Sequence, residues 1–153
     1  MEKVKKDKKT RNYTYAVGRR RESVARVRVY DASCKKTTLF GNEYKIGDIV
    51  VNGKQVIEYF RFKAYAPIYK RIFSDTDTAG KFIVSAKVEG GGIAAQLEAM
   101  VLGIARAFDK IDKEKFHKIL RDKGYLTVDA RTRQRRMVGM GGKSRRKKQS
   151  PKR

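Results

Sequence analysis

The alternation of apolar and polar positions marks strands first. Tyr13, Tyr15 and Val17 alternate with Thr14 and Ala16, the period of a short strand. Gly18 and the run Arg19, Arg20, Arg21 read as its interruption. Val24, Arg26, Arg28 and Tyr30 then alternate with Ala25, Val27 and Val29, which predicts a second strand with one cationic edge. Residues 31–47 carry Gly41 and Gly47 and read as a long connection. Ile49, Val50 and Val51 predict a third strand ending at Asn52-Gly53, a turn signal. A fourth strand is expected over 81–88, with Phe82, Val84, Ala86 and Val88 facing a core.

Helical spacing fills the gaps. Val56, Ile57, Tyr59 and Phe60 suit a short helix. Pro67 suits the first turn of the next, with Ile68, Ile72 and Phe73 on one face. Asp75 to Gly80 reads as a loop. After Gly90, Gly91 and Gly92 comes the strongest helix, where Ile93, Leu97, Val101, Ile104 and Phe108 recur at spacings of three and four. Asp112 can cap a last helix with a Phe116, Ile119, Leu120 stripe, and Gly124 suits its stop. Beyond Ala130 no apolar period survives, and Gly139, Gly141, Gly142 and Pro151 oppose helix. That stretch is expected to be disordered until a partner orders it. The division is then a basic arm at 1–12, a globular unit at 13–130 and an extended basic tail at 131–153.

Charge changes the picture. The net charge is +23 over 153 residues. Residues 1–28 contribute +8 and residues 131–153 contribute +11, with no acid in the latter. A solvated surface scatters both signs, whereas cations gathered at two ends form an electrostatic footprint for a polyanion. The segment MEKVKKDKKT has no apolar run, so no signal peptide is expected. Ile93 to Phe108 is too short and too polar to span a bilayer, so membrane is the weaker partner. Cys34 is the only cysteine, consistent with a reducing compartment and excluding an intrachain disulfide.

Several constellations are candidates for chemistry. A glycine triplet between a strand and a helix start presents backbone N–H groups and a positive dipole end, which suits phosphate. RNA phosphate contact, close packing and a nucleotide loop are the three readings. The last lacks the Lys-Ser or Lys-Thr pair of a P-loop, since Ile93, Ala94 and Ala95 stand at the helix start. Arg19, Arg20 and Arg21 more naturally decorate a turn, where guanidinium forks grip phosphate or stack on bases. His117 has no acidic or cysteine neighbour at ligand spacing and reads as a helix-surface histidine, so no metal is expected. Cys34 lacks a nearby histidine, and Asp75 with Asp77 is explained by loop solvation as readily as by catalysis. Tyr13, Tyr15, Tyr30, Tyr44, Tyr59, Phe60, Phe62, Tyr65 and Tyr69 exceed what a small core needs. Phe62 and Tyr65, beside Arg61 and Lys63, are the preferred candidates for stacking on splayed bases.

Four stretches together resemble one family. YAVGRRRESVARVRVY, VVNGKQVIEYF, VEGGGIAAQLEAMVLGIARAF, and GYLTVDARTRQRR with the terminal KKQSPKR follow the order of the universal small-subunit ribosomal protein nine in its bacterial form. The resemblance implies an α+β fold, a small mixed sheet packed by helices like the second domain of ribosomal protein five. It also implies a structural role in the head of the small ribosomal subunit, in the cytoplasm, with no cofactor and no catalysis. The implied rRNA contacts are Arg19, Arg20, Arg21, Arg26, Arg28, Gly90, Gly91, Gly92, Gln96, Arg106, Arg131, Arg133, Arg135, Arg136, Lys143, Arg145, Arg146, Lys147 and Lys148. Lys152 and Arg153 would approach the anticodon stem-loop of peptidyl-site tRNA, and neighbouring head proteins are the other implied partners. The chain ends Ser150-Pro151-Lys152-Arg153 where the family has Phe-Ser-Lys-Arg, and Ala94 and Ala95 replace a hydroxyl residue and a glycine. Two other classes are an accessory subunit of an RNA-processing complex and a phosphotransferase of related fold.

Overall fold

The computed structural model describes residues 12–30, 36–39 and 41–135. Strand β1 (Tyr13–Arg20) and β2 (Ser23–Tyr30) form a hairpin. β3 (Lys36–Leu39) and β4 (Asn42–Lys45) form a second, separate one. β5 (Ile49–Val51) turns through Asn52-Gly53 into the two-residue β6 (Lys54–Gln55). Helix α1 (Val56–Tyr59), a 3-10 turn (Lys63–Tyr65) and α2 (Ala66–Asp75) lead to β7 (Ile83–Glu89). Helices α3 (Ile93–Ile111) and α4 (Lys113–Asp122) follow. The main sheet runs β1-β2-β7-β5-β6, antiparallel except for the parallel pair β5 and β7. It is a mixed sheet on helices, the α+β class expected.

Three expectations about the strands change. Gly18 does not interrupt β1, which runs on through Arg19 and Arg20. A Cβ on Gly18 would lie 1.9 Å from the Ala99 carbonyl oxygen and 2.5 Å from the Gly103 nitrogen. The glycine is there because α3 crosses the strand almost in backbone contact. Second, the 31–47 connection holds the β3–β4 hairpin. Tyr44 anchors it by donating from its hydroxyl to the Gly53 carbonyl, at 3.1 Å. Third, Phe82 precedes β7, whose residues Ile83 to Ala86 are buried on both faces. A small cluster of Tyr30, Tyr44, Val50 and Ile83 covers the side away from the helices, so simple alternation fails there.

The principal core lies between the sheet and the helices. Ala25, Val27 and Val29 of β2, with Val84, Ala86 and Val88 of β7, meet Leu97, Met100, Ile104 and Phe108 of α3. Phe108 touches the rings of Phe73, Phe82 and Phe116, at 5.6–5.8 Å between centroids. Ile93 and Ile119, expected on the apolar stripes, are exposed. Asp112 caps α4 as expected, its side chain accepting from the Lys115 N–H.

Candidate nucleic-acid interface

One end of the sheet gathers the β1–β2 turn, the glycine triplet, the start of α3 and the root of the basic tail. The register pairs Arg20 with Ser23, which leaves Arg21 and Glu22 at the tip, Arg21 in the left-handed region at φ 52°. The triplet passes beneath this tip. A Cβ on Gly90 would lie 2.5 Å from the Glu22 carbonyl oxygen, and one on Gly91 would lie 2.1 Å from Ser23 Oγ. Both glycines also have positive φ. Gly92 differs, with nothing within 4 Å of an added Cβ.

Gln96 holds the triplet in place. Its Nε2 donates to the Gly90 carbonyl at 3.0 Å, beside a 3.0 Å bond from Ser23 Oγ to the same oxygen. Tyr59 Oη donates to Gln96 Oε1 at 2.8 Å. Asn52 then brackets Val88, donating to its carbonyl at 3.0 Å and accepting from its N–H at 2.9 Å. These contacts tie two loops and the first turn of α3 into one rigid corner. Gln96, expected to meet rRNA, is engaged within the chain.

The α3 N-terminus has no side-chain cap. Its first internal bond runs from the Gln96 N–H to the Gly92 carbonyl, so the N–H groups of Ile93, Ala94 and Ala95 have no partner among the described residues. They border an open cleft of about 820 Å³ with Arg21, Tyr65, Gly92, Thr132 and Arg133 on its walls and one acid, Glu22, beside the two arginines. Donor N–H groups, a dipole end and guanidinium groups on one cleft suit an anion such as phosphate.

The face of the sheet away from the helices is the second cationic surface. Arg26 stands opposite Val17 on β1 and Lys87 on β7, and Arg28 stands opposite Tyr15. Arg19, Arg26, Arg28 and Lys87 are exposed. Arg28 lies over the Tyr13 ring at 5.2 Å from its centroid. Glu89 pairs with Lys87 at 3.0 Å and Arg26 at 3.3 Å, and its carboxyl is lowered below the usual range first by the Lys87 bond. The expected cationic edge is therefore part of a broad face.

Two of the sequence-selected arginines turn inward. Arg20 is only 9% exposed and reaches Glu98 and Asp129. Arg106 donates to the Val17 carbonyl at 2.8 Å, tying α3 to β1. Arg131 chelates Asp129, and Arg135 is exposed. Arg136, Lys143, Arg145, Arg146, Lys147, Lys148, Lys152, Arg153 and Cys34 lie outside the described residues.

The aromatics divide likewise. Tyr30, Tyr44, Phe60 and Tyr69 are core residues, and Tyr59 packs against the core. Phe62 is 64% exposed, in a T-shaped contact with half-buried Tyr65, and no partner is seen for Arg61 or Lys63 among the described residues. His117 meets Asp109 at 2.7 Å, a neighbour that only the α3–α4 fold supplies. Asp75 is a strut: Lys123 and Tyr125 donate to it, and its carboxyl is lowered by those bonds, the Lys123 bond first. No group of three or more possible metal ligands occurs among the described residues. No described helix is long and apolar enough to cross a membrane.

The sequence profile of the family described as ribosomal protein S9/S16 matches residues 18–153. The chain belongs to that family. Among curated S9-type relatives, the small ribosomal subunit protein uS9 of Maridesulfovibrio salexigens is 38% identical over 133 residues, covering 87% of this chain and 92% of the relative. The uS9 protein of Arthrobacter sp. (strain FB24) is 38% identical over 125 residues, 82% of this chain and 67% of the relative. That of Cutibacterium acnes is 35% identical over 125 residues, 82% of this chain and 65% of the relative. The S9/S16 match begins at Gly18, the strand–helix contact, and takes in the glycine corner and the whole basic tail.

Proposed function

We propose that the chain is a structural constituent of the small ribosomal subunit that binds rRNA and sends its basic tail toward peptidyl-site tRNA. The observation that carries this reading is the convergence at one corner of the Arg21 turn, the uncapped α3 N-terminus and the tail root. On this reading the cleft takes an rRNA phosphate, with Gly92 leaving space for its approach and Arg21 and Arg133 supplying charge. Arg19, Arg26 and Arg28 contribute a second contact from the open sheet face, and Arg135 with the tail cations extends the first. Gly90, Gly91, Gln96 and Arg20 serve by shaping the corner, and Arg106 by tying α3 to β1. The work is phosphate neutralisation and positioning during head assembly, beside neighbouring head proteins in the cytoplasm, and no bond is made or broken.

Lys152 and Arg153 at the tip are the proposed tRNA contacts. Deleting both from reconstituted subunits is expected to weaken peptidyl-site tRNA binding while assembly proceeds. Unchanged tRNA affinity in assembled, truncated subunits would refute the tip role. Retention of the protein on small subunits through a high-salt wash separates a ribosomal component from an accessory RNA-processing subunit.

A further inference from the structure

We infer that Arg20 is a positioning residue that fixes the direction in which the basic tail leaves the domain. This rests on the proposed role of the tail but goes beyond it, because it gives an arginine of the basic turn a task other than touching RNA. On β1, Arg20 shares the buried face with Ala16 and Gly18, so its side chain runs under the sheet toward α3 instead of outward with Arg19. All three guanidinium nitrogens are engaged. Nε donates to the Glu98 carboxylate on α3, and Nη2 meets Asp129 Oδ2 at 3.0 Å. Nη1 donates to the carbonyls of Asp129 at 3.3 Å and Arg131 at 3.2 Å.

The segment gripped has no regular secondary structure of its own. Residues 127–135 form neither helix nor strand, yet they follow the domain surface as a mounted strap. Its first fixing point is Asp75, which accepts from Lys123 and, at 2.7 Å, from Tyr125. Tyr125 and Leu126 pack against the core beside it. The second is the Arg20 clamp. Asp129 completes it by accepting from the Arg131 N–H at 3.0 Å and from its guanidinium at 2.6–3.0 Å. Arg20 and Arg131 hold the Asp129 carboxyl well below the usual carboxylate range, the Arg131 side-chain bond first.

Two fixing points this close leave little slack, and a guanidinium fork sets direction as well as distance. The 22 residues after Arg131 reach at most about 70–80 Å when extended, so the direction of the root decides which sites the tail reaches with the least contour length. A root held in one direction lowers the ordering cost of threading the tail into its site. Arg131 is thereby assigned to the mount, and the outward cations of the tail begin beyond it.

The test is the geometry of the root in the full-length chain. Spin labels at Lys118→Cys on α4 and Gln134→Cys, in a Cys34→Ser background, report their distance distribution by pulsed electron resonance. A single narrow population is expected. Arg20→Met and Asp129→Asn should each at least double its width, with Arg20→Lys between, because one ammonium cannot meet both carboxylates and both carbonyls. Asp129→Asn removes the charge from a partly exposed side chain, so it decides the matter if Arg20→Met does not fold. A distribution as narrow as the parent's in Asp129→Asn would overturn the inference. In reconstituted subunits, Asp129→Asn should reduce tRNA affinity toward that of chains lacking 132–153. If those truncated particles bind tRNA normally, the tail's tRNA role fails, while the width of the distribution still decides the mount.

Discussion

Gly18→Ala tests the closest contact in the fold. The added methyl would sit 1.9 Å from the Ala99 oxygen and 2.5 Å from the Gly103 nitrogen. Those two groups are four residues apart on α3 and are partners in the helical ladder. Ordinary contact begins at 3.4 Å, so strand and helix must separate by 1.5 Å at that point or one helical bond must open. Neither obstacle is a side chain that can rotate away. Overpacking typically costs about 1–3 kcal/mol, and with backbone on both sides Gly18→Ala belongs at or above the upper limit. Gly103→Ala meets Val27 Cγ2 at 2.6 Å and backbone only at the Gly18 nitrogen, 3.3 Å away, and gains up to about 1 kcal/mol of helix propensity, so its net cost is smaller. Gly92→Ala meets nothing and loses only a favoured helix-start residue, at most about 1 kcal/mol. Urea denaturation of the three variants measures the series. A Gly18→Ala variant within about 0.5 kcal/mol of the parent, the range of innocuous surface changes, would refute the reasoning.

Phe108→Ala removes the ring that joins Phe73, Phe82 and Phe116, and about 3–5 kcal/mol of stability should go with it in the same denaturation assay. The Tyr125 phenol is pushed up to about 12 by burial first and by the Asp75 bond and charge second. Its folded pKa exceeds the ordinary 10, so its contribution is complete below pH 10 and is lost as pH rises toward 12. Asp75→Asn should lower the phenol's midpoint only part-way, because burial remains; phenolate absorbance, differenced against Tyr125→Phe, would contradict this by showing no change. For rRNA fragments, removing residues 131–153 should flatten the salt dependence of binding by about 0.7–0.9 logarithmic units for each phosphate that the tail no longer neutralises. An unchanged slope would mean the tail cations do not meet phosphate.

Local period makes most elements legible, and tertiary approach accounts for what it misses. Asn52-Gly53 marks its turn because two successive positive φ values need those residues. Asp112 is readable as a cap because the bond it accepts is local. Gly18 misleads because its reason, Ala99, lies eighty-one positions away, and a glycine in a strand looks the same whether it breaks the strand or admits a helix. The β3–β4 hairpin escapes notice because its anchor is Tyr44 reaching Gly53, not an alternating pattern. Gln96 and Arg106 stand out by resemblance, yet their partners are chain carbonyls and the Tyr59 hydroxyl. One signal is present for Arg20: strand parity puts it with Ala16 and Gly18, opposite Arg19. Reading the arginine run as a turn erases that parity.

The sorting of arginines explains how so much positive charge is compatible with a packed domain. A guanidinium under the sheet is stable only if its donors find acceptors, and Arg20 finds two carboxylates and two carbonyls there. Half-buried Arg106 finds the Val17 carbonyl, whereas Arg131 is exposed and meets Asp129, two residues back. Arg20 and Arg106 act as cross-links from β1 to α3, Arg20 also to the tail root, and Arg131 braces that root through Asp129. Arg19 and Arg21 have no partner among the described residues, and Arg28 has only the face of Tyr13. RNA affinity should therefore follow the outward set, not the net charge of +23. By the same logic, neutralising Arg20 or Arg131 should disturb where the tail goes more than how strongly the domain binds, whereas neutralising Arg19 or Arg21 should do the reverse.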